Sequence, residues 1–332
     1  MRFIILLFSF VVANISICFA VPDTIIDVIA PSSKGSELNL QLIEDYLESI
    51  GVKANVPENI YSDNEPLYSN TDEFRAESLV KALTNPKSIA IWCIRGGRGA
   101  SRLIPYLEKL PDDVKKKIAQ NKNRKILMGF SDISVLHIYL QNKYDWSTLH
   151  SPMLEQIVDN KISQDSIDKL ELLISGYRNN IKFNLKMIDN GIELNDGILE
   201  SKVVGGSISL VRASIGTCWQ IDTKDKILFL EEVEPDPALL ELRLEHLKQA
   251  HILDEVQAVI FGDILCTNDE QLLELVKHRF AQSVNFPVFT LNGIGHARTN
   301  YPLPLNTRAV INHIKGNRFS MTVDMPAEWR RR

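Results

Sequence analysis

The sequence predicts an α/β protein of two domains, an N-terminal open parallel sheet followed by a strand-rich α/β domain. Three observations carry this. The chain has 332 residues, more than the roughly 100–200 of one ordinary domain. Its first half alternates short apolar runs with helical periodicity, the signature of strands buried on both faces between helices. Beyond residue 160 that alternation gives way to a polar, turn-rich stretch and then to a second mixed pattern. Composition agrees: 45% hydrophobic and 24% charged residues suit a packed globular chain and exclude a disordered one. A net charge of −5 gives no reason to expect binding to nucleic acid, which usually needs a basic face, and no nucleic-acid partner is expected.

Taken in order, residues 1–20 read as a secretory signal peptide. Met1-Arg2 is a short positive start, Phe3 to Ala13 is apolar except for Ser9, and Cys18 and Ala20 occupy the −3 and −1 positions of a cut after Ala20. The alternative is an uncleaved anchor, but Phe3 to Ala20 is near the lower length limit for spanning. An exported, periplasmic protein with no stable membrane insertion after cleavage is the expectation. Cys93, Cys218 and Cys266 then remain, an odd number that makes no disulfide framework. The seven histidines form no His-Glu-x-x-His motif, so no metal and no cofactor are expected.

Residues 21–160 form the first expected domain. Ile25 to Ala30 is a strand ending in the turn Pro31-Ser32-Ser33. Ser36 to Ile50 has helical spacing closed by Gly51, and Val52 to Val56 is the second strand. Thr71 to Leu83 is helical. Ser88 to Ile94 is a continuous apolar strand, followed by helices over Arg102 to Leu110 and Asp112 to Gln120. Lys125 to Gly129 is another buried strand, and Asp132 to Gln141 another helix. A linker is placed over 161–200, after a helix at Ser163 to Ser175, because Asp189-Asn190-Gly191 and Asn195-Asp196-Gly197 are turn signals. Residues 201–332 form the second domain, with helices over Ser207 to Ile215, Asp236 to Gln249 and Asp269 to Phe280. Strands are read over Lys226 to Leu230, Ala258 to Ile264 and Val288 to Leu291. Asp236 as N-cap and Pro237 at the first helical position sign one helix start.

Four segments have residue types suited to chemistry. Ser131 lies on the sharp turn between a buried strand and a helix, where its hydroxyl faces free backbone N–H groups. That is nucleophile-elbow geometry, although Gly129-Phe130-Ser131-Asp132-Ile133 lacks the final glycine of the usual pattern. The other reading of Ser131 is a simple helix N-cap. Arg95-Gly96-Gly97-Arg98-Gly99 follows the other buried strand, at a sheet end where ligands bind, and is either an N–H cradle or a tight turn. Glu231 and Glu232 end a strand, where a carboxylate orients a histidine or simply meets solvent. His296, in Gly293-Ile294-Gly295-His296, is either a base or a structural loop histidine.

Together these segments resemble the LD-carboxypeptidase family of serine peptidases, which includes the microcin C immunity peptidases. The resemblance rests on Ala30-Pro31-Ser32-Ser33, Arg95-Gly96-Gly97-Arg98-Gly99 and Gly129-Phe130-Ser131-Asp132-Ile133. It also rests on His150-Ser151-Pro152-Met153, Gly205-Gly206, Leu228-Phe229-Leu230-Glu231, and Gly295-His296 with Asn300 and Pro302-Leu303-Pro304-Leu305. It implies a nucleophile Ser131, a general base His296 and an orienting Glu231, with the active site between the two domains. The implied oxyanion hole is the N–H of Asp132 with that of Gly96 or Gly97. The implied substrate is a murein tetrapeptide ending in D-alanine, and the implied assembly a homodimer. Its free carboxylate calls for an arginine, Arg98 or Arg102. Departures from the family are Arg98 in place of an aromatic residue, Ser151 for glycine and Ser207 for asparagine. The alternative substrate is an aminoacyl-nucleotide amide, as for the immunity peptidases. A binding protein without catalysis is a third reading, against which the three retained triad types argue.

Overall fold

The computed structural model describes residues 24–122, 125–194, 197–233, 236–266, 269–326 and 329. The expected signal segment, 1–20, lies outside the described residues. Five strands in the first half, β1 (Ile25–Ile29), β2 (Lys53–Asn55), β3 (Ser88–Cys93), β4 (Ile126–Gly129) and β5 (Thr148–His150), form a parallel array. Between them run α1 (Leu38–Ser49), α2 (Asp72–Thr84), α3 (Ile104–Glu108), α4 (Asp112–Asn121) and α5 (Ser134–Tyr144); α6 (Leu154–Val158) and α7 (Gln164–Ile174) follow. β3 is apolar from Ile89 to Cys93, and Trp92 on it is wholly buried, as a strand covered on both faces requires.

The second half contributes β6 (Asn180–Ile188), β7 (Ile198–Ser207), α8 (Ile208–Ala213), β8 (Ile227–Val233), α9 (Pro237–Gln249), β9 (Ala258–Leu265), α10 (Glu270–Gln282) and β10 (Val288–Thr290). The chain closes with β11 (Leu303–Leu305), β12 (Arg308–Lys315) and β13 (Arg318–Asp324). Seven of these strands close a barrel in the order β10-β6-β13-β12-β7-β8-β9. The expected Asp236 cap is in place, its carboxylate accepting from the Ala238 N–H at 2.7 Å, and Asp269 caps the next helix by accepting from the Leu272 N–H at 2.9 Å.

Two differences from expectation concern connectivity. The span 161–200, read as a linker, is built into the fold: it holds α7 and β6, and β6 pairs with both β13 and β10. The physical reason is the strict alternation of buried Ile181, Phe183 and Leu185 with exposed Lys182, Asn184 and Lys186. The second is β11. It comes from the C-terminal half yet completes the N-terminal sheet, whose order is β11-β5-β4-β3-β1-β2, by pairing antiparallel with β5. Pro304 has no N–H to donate, which an edge strand tolerates.

The apolar core is continuous across the halves. One cluster joins Phe130 and Leu136 to Val204, Leu228 and Leu240; each such side chain contributes roughly 1.5–3 kcal/mol on burial. Polar ties accompany it: the Ser207 N–H donates to Ser134 Oγ at 3.2 Å, and Asn306 Nδ2 to the Trp146 carbonyl at 3.1 Å. In the parallel array the chain moves from β1 to β2 on one side and then to β3 on the other. The carboxyl ends of β1 and β3 thus flank a topological switch point, where open α/β sheets bind ligands.

Candidate active site

Ser131 closes the end of β4. It adopts φ +61° and opens a short 3-10 turn, Ser131–Ile133, that leads into α5. The helix therefore begins later than the sequence suggests, and the Ser131 side chain makes no capping bond. A non-glycine residue in the left-handed region costs about 1–2 kcal/mol. The conformation turns the hydroxyl toward the glycine loop. A Cβ added to Gly96 would stand 3.2 Å from Ser131 Cβ and 3.4 Å from its Oγ, so a side chain there would press the loop away from Ser131 by a few tenths of an ångström. Gly97 adopts φ +105°, and a Cβ there would meet Ser33 Oγ at 2.3 Å. Among the described residues, the N–H groups of Gly96 and Gly97 have no protein acceptor.

The loop after β1 fastens these turns together. Asp132 Oδ2 accepts from Ser32 Oγ at 2.7 Å and from the Ala100 N–H at 2.8 Å. The Ser33 N–H donates to the Gly96 carbonyl at 3.2 Å, and Ser33 Oγ accepts from the Arg98 N–H at 3.1 Å. Burial raises the Asp132 carboxyl above its ordinary value, opposed by these two donors and by the Arg75 charge. Arg75, itself buried, donates to the Pro31 and Gly99 carbonyls and so grips both loops from behind.

Glu231 and His296 come from the second half. Glu231 lies on β8, wholly buried, and its Oε2 is 2.8 Å from His296 Nδ1. Glu232 points the other way, accepting from Ser209 N–H at 3.0 Å and from Arg243 Nη1 at 2.9 Å. Burial raises the Glu231 carboxyl, against the opposing bond to His296. Burial lowers His296, but the Glu231 bond and charge more than reverse this, and the imidazole is raised above its ordinary value. The histidine loop is pinned by the Gly295 N–H to Asn300 Oδ1 at 3.2 Å and by the Asp263 N–H to the Ile294 carbonyl at 2.8 Å.

The two halves meet at Phe130. Its ring lies 4.7 Å from that of His296, centroid to centroid, which sets the imidazole beside the turn bearing Ser131. The buried His150 ring lies on the other contact of Phe130, at 5.2 Å, and meets Phe229 at 5.5 Å. Both His150 nitrogens lack a hydrogen-bond partner, and burial, followed by the nearby His137 and His296, holds its pKa well below the ordinary value. Sequence reading assigned no task to the Asp132 carboxylate, Arg75, His150 or Asn300, although Asp132, His150 and Asn300 stood in segments already singled out.

The two candidate substrate arginines differ. Arg98 is exposed, and its guanidinium makes no ion pair with a described residue. Arg102 is committed: its Nε lies 2.8 Å from Asp72 Oδ2 and its Nη2 2.6 Å from the same oxygen. Among the described residues, no group of three or more His, Cys, Asp or Glu side chains is disposed to hold a metal ion.

Comparison with known proteins bears on the whole chain. Residues 26–151 match the family model described as the LD-carboxypeptidase N-terminal domain, and residues 200–311 that of the LD-carboxypeptidase C-terminal domain. A protein of Rickettsia conorii named as a carboxypeptidase is 33% identical over 326 residues, 96% of each chain. The murein tetrapeptide carboxypeptidase of Pseudomonas aeruginosa is 25% identical over 304 residues, 89% of this chain and 94% of its own. Among solved structures, the muramoyltetrapeptide carboxypeptidase from Oxalobacter formigenes shares the fold with a TM-score of 0.78 at 22% identity. That match covers 91% of this chain and 99% of the other. An MccF-like protein from Bacillus anthracis gives a TM-score of 0.76 at 20% identity, over 92% and 97% of the two chains.

Proposed function

The chain belongs to the LD-carboxypeptidase family and is a serine carboxypeptidase, and we propose that it removes the terminal D-alanine of murein tetrapeptides through Ser131, His296 and Glu231. The observation that carries this reading is the 2.8 Å bond between buried Glu231 and His296, on a ring packed against the residue before Ser131. Serine is a weak nucleophile without an adjacent base. His296 takes the Ser131 proton as Oγ attacks the amide carbonyl, and Glu231 fixes the Nδ1–H tautomer and balances the imidazolium. The tetrahedral oxyanion is received by the Asp132 N–H and one of the loop N–H groups of Gly96 or Gly97. Each such donor is typically worth on the order of 100–1,000-fold. His296 then protonates the leaving D-alanine amine, and a water molecule, activated by the same imidazole, releases the acyl group from Ser131.

The free carboxylate of the substrate falls to Arg98, whose guanidinium makes no ion pair among the described residues, since Arg102 is held by Asp72. The enzyme works outside the cytoplasm, in the periplasm, after loss of residues 1–20. Mass spectrometry of a purified murein tetrapeptide incubated with the protein and with Ser131→Ala tests the reading. Loss of one D-alanine with the wild type alone is the expected result. No loss with either protein overturns the substrate, and aminoacyl-nucleotide amides are then the next to assay.

A further inference from the structure

We propose that the outer face of the barrel carries a second binding site, a cationic groove that holds the anionic murein strand whose peptides the active site trims. The proposal rests on the murein reading above and adds a site distinct from the triad. A groove of about 690 Å³ runs along β6, between β13 and the loop after β10. Lys169, Lys182, Lys186 and Arg318 line it, and it continues past Lys169 and Lys182 to Arg178. No Asp or Glu is among the described residues that line either part. This stands out on a chain whose net charge is −5.

Pairing within the groove is sparse. Lys169 is held by Asp165 at 2.7 Å and lies 3.6 Å over the Tyr301 ring. Among the described residues, no carboxylate is within ion-pair distance of Lys182, Lys186 or Arg318, and all three are exposed. Lys186 and Arg318 are direct partners in the β6–β13 register. Like charges placed opposite on antiparallel strands repel, and an anion laid between them reverses that cost. Lys182 stands four residues from Lys186 on the same face of the strand, about 13 Å away. Charges strung at that spacing suit a polymer with repeated carboxylates better than one small anion. An aromatic ring and several asparagine amides beside them suit sugars. A murein strand supplies both features, in peptide carboxylates and in amide-bearing sugars.

The groove also borders the catalytic loop. Tyr301 donates its N–H to the Gly293 carbonyl at 2.7 Å, closing the turn that carries His296. A strand held at Tyr301 keeps its stem peptides near the active site, which raises their local concentration.

Co-sedimentation with purified murein sacculi tests this. The full chain carrying Ser131→Ala leaves the sacculi intact, and the triple change Lys182→Gln, Lys186→Gln, Arg318→Gln is made in that background. The parent is expected to pellet at 50 mM salt and to be released at about 500 mM, where screening is strong; the triple variant is expected to bind at least tenfold more weakly at 50 mM. Equal binding by parent and triple variant overturns the groove, as does binding indifferent to salt or a preference for duplex DNA over sacculi. In the active chain the triple change is expected to leave kcat/KM on soluble tetrapeptide within twofold of wild type. Loss of tetrapeptide turnover in the wild type would sink the substrate reading and leave the sedimentation result to judge the groove.

Discussion

Ser32 Oγ donates to Asp132 Oδ2 at 2.7 Å, a bond across 100 residues of chain that ties the loop after β1 to the turn bearing Ser131. The same oxygen accepts from Ala100, at the far end of the glycine loop. One buried carboxylate thus sets the spacing between the proposed oxyanion donors. Ser32→Ala is expected to cost about 1–3 kcal/mol of stability, the usual penalty for shorting a buried charged acceptor of a donor. It is also expected to lower kcat several-fold with KM little changed. Chemical denaturation and steady-state kinetics check this; lost stability with full kcat would make the bond structural only.

The left-handed conformation of Ser131 predicts a contrast between two inactive variants. Ser131→Ala keeps a Cβ at φ +61°, whereas Ser131→Gly relieves it. Against the extra freedom of glycine in the unfolded chain, the glycine variant is expected to be the more stable by roughly 1 kcal/mol. Both are expected to lose more than about 1,000-fold in kcat. Equal melting temperatures would mean that the turn carries no strain.

Because the bond and charge of Glu231 raise the pKa of His296, the proposed base, kcat/KM is expected to rise with pH through that raised value. Glu231→Gln removes the charge. The acid limb then moves to lower pH, while activity falls by up to about 10,000-fold because the tautomer is no longer fixed. The sign for stability follows as well. A raised histidine stabilises fully below its unfolded pKa, and that stabilisation is lost as pH rises through the folded value. A pH–rate profile with an unmoved acid limb in Glu231→Gln would separate the carboxylate from the base.

His137 and His150 act oppositely. Burial pushes His137 down to about 4, against its bond to the Gly129 carbonyl, and holds His150 well below its ordinary value. Both fold as neutral rings, so the unfolded chain binds more protons at acid pH. Their contribution is present above pH 6.5 and is lost as pH falls below it, for His137 until about 4, by up to about 1.4 kcal/mol per pH unit for each ring. His150→Leu, which also removes two unpartnered nitrogens, is expected to flatten the acid slope in urea titrations between pH 6.5 and 4. An unchanged slope would refute it.

The two arginines offer a simple kinetic contrast. Arg98→Ala is expected to raise KM for tetrapeptide about tenfold, the value of one charge-assisted contact. Arg102→Ala is expected to leave it within twofold, since that guanidinium serves Asp72. Equal KM values for Arg98→Ala and wild type would leave the substrate carboxylate without its proposed anchor.

The sequence made the parallel array legible because buried strands such as β3 and β4 are continuous apolar runs followed by glycine turns. β6 was hidden for a local reason. Its alternation is regular, but Asp189-Asn190-Gly191 and Asn195-Asp196-Gly197 after it are turn signals that dominate a short window. β11 was hidden for a different one: Leu303-Pro304-Leu305 has strand spacing, and only its edge position makes the proline acceptable. Ser131, Glu231 and His296 were each ambiguous alone. Their residue types are ordinary at turns and strand ends, and what brings them together is contact between distant segments, such as the tilted packing of His296 against Phe130. The Asp132 clamp was out of reach because hydrogen bonds across 100 residues leave no periodic trace.

The pairing of β11 with β5 has a consequence for the timing of activity. The reactive turn is complete by residue 133, but the strand that seals its sheet arrives only with Leu303–Leu305, just after His296. A chain that ends between β5 and His296 carries the proposed nucleophile without the proposed base, and its β5 is an open edge able to pair with a neighbouring chain. Hydrolysis switches on in the same step that removes the aggregation hazard, so a truncated product is harmless as an enzyme and exposed as a target for clearance.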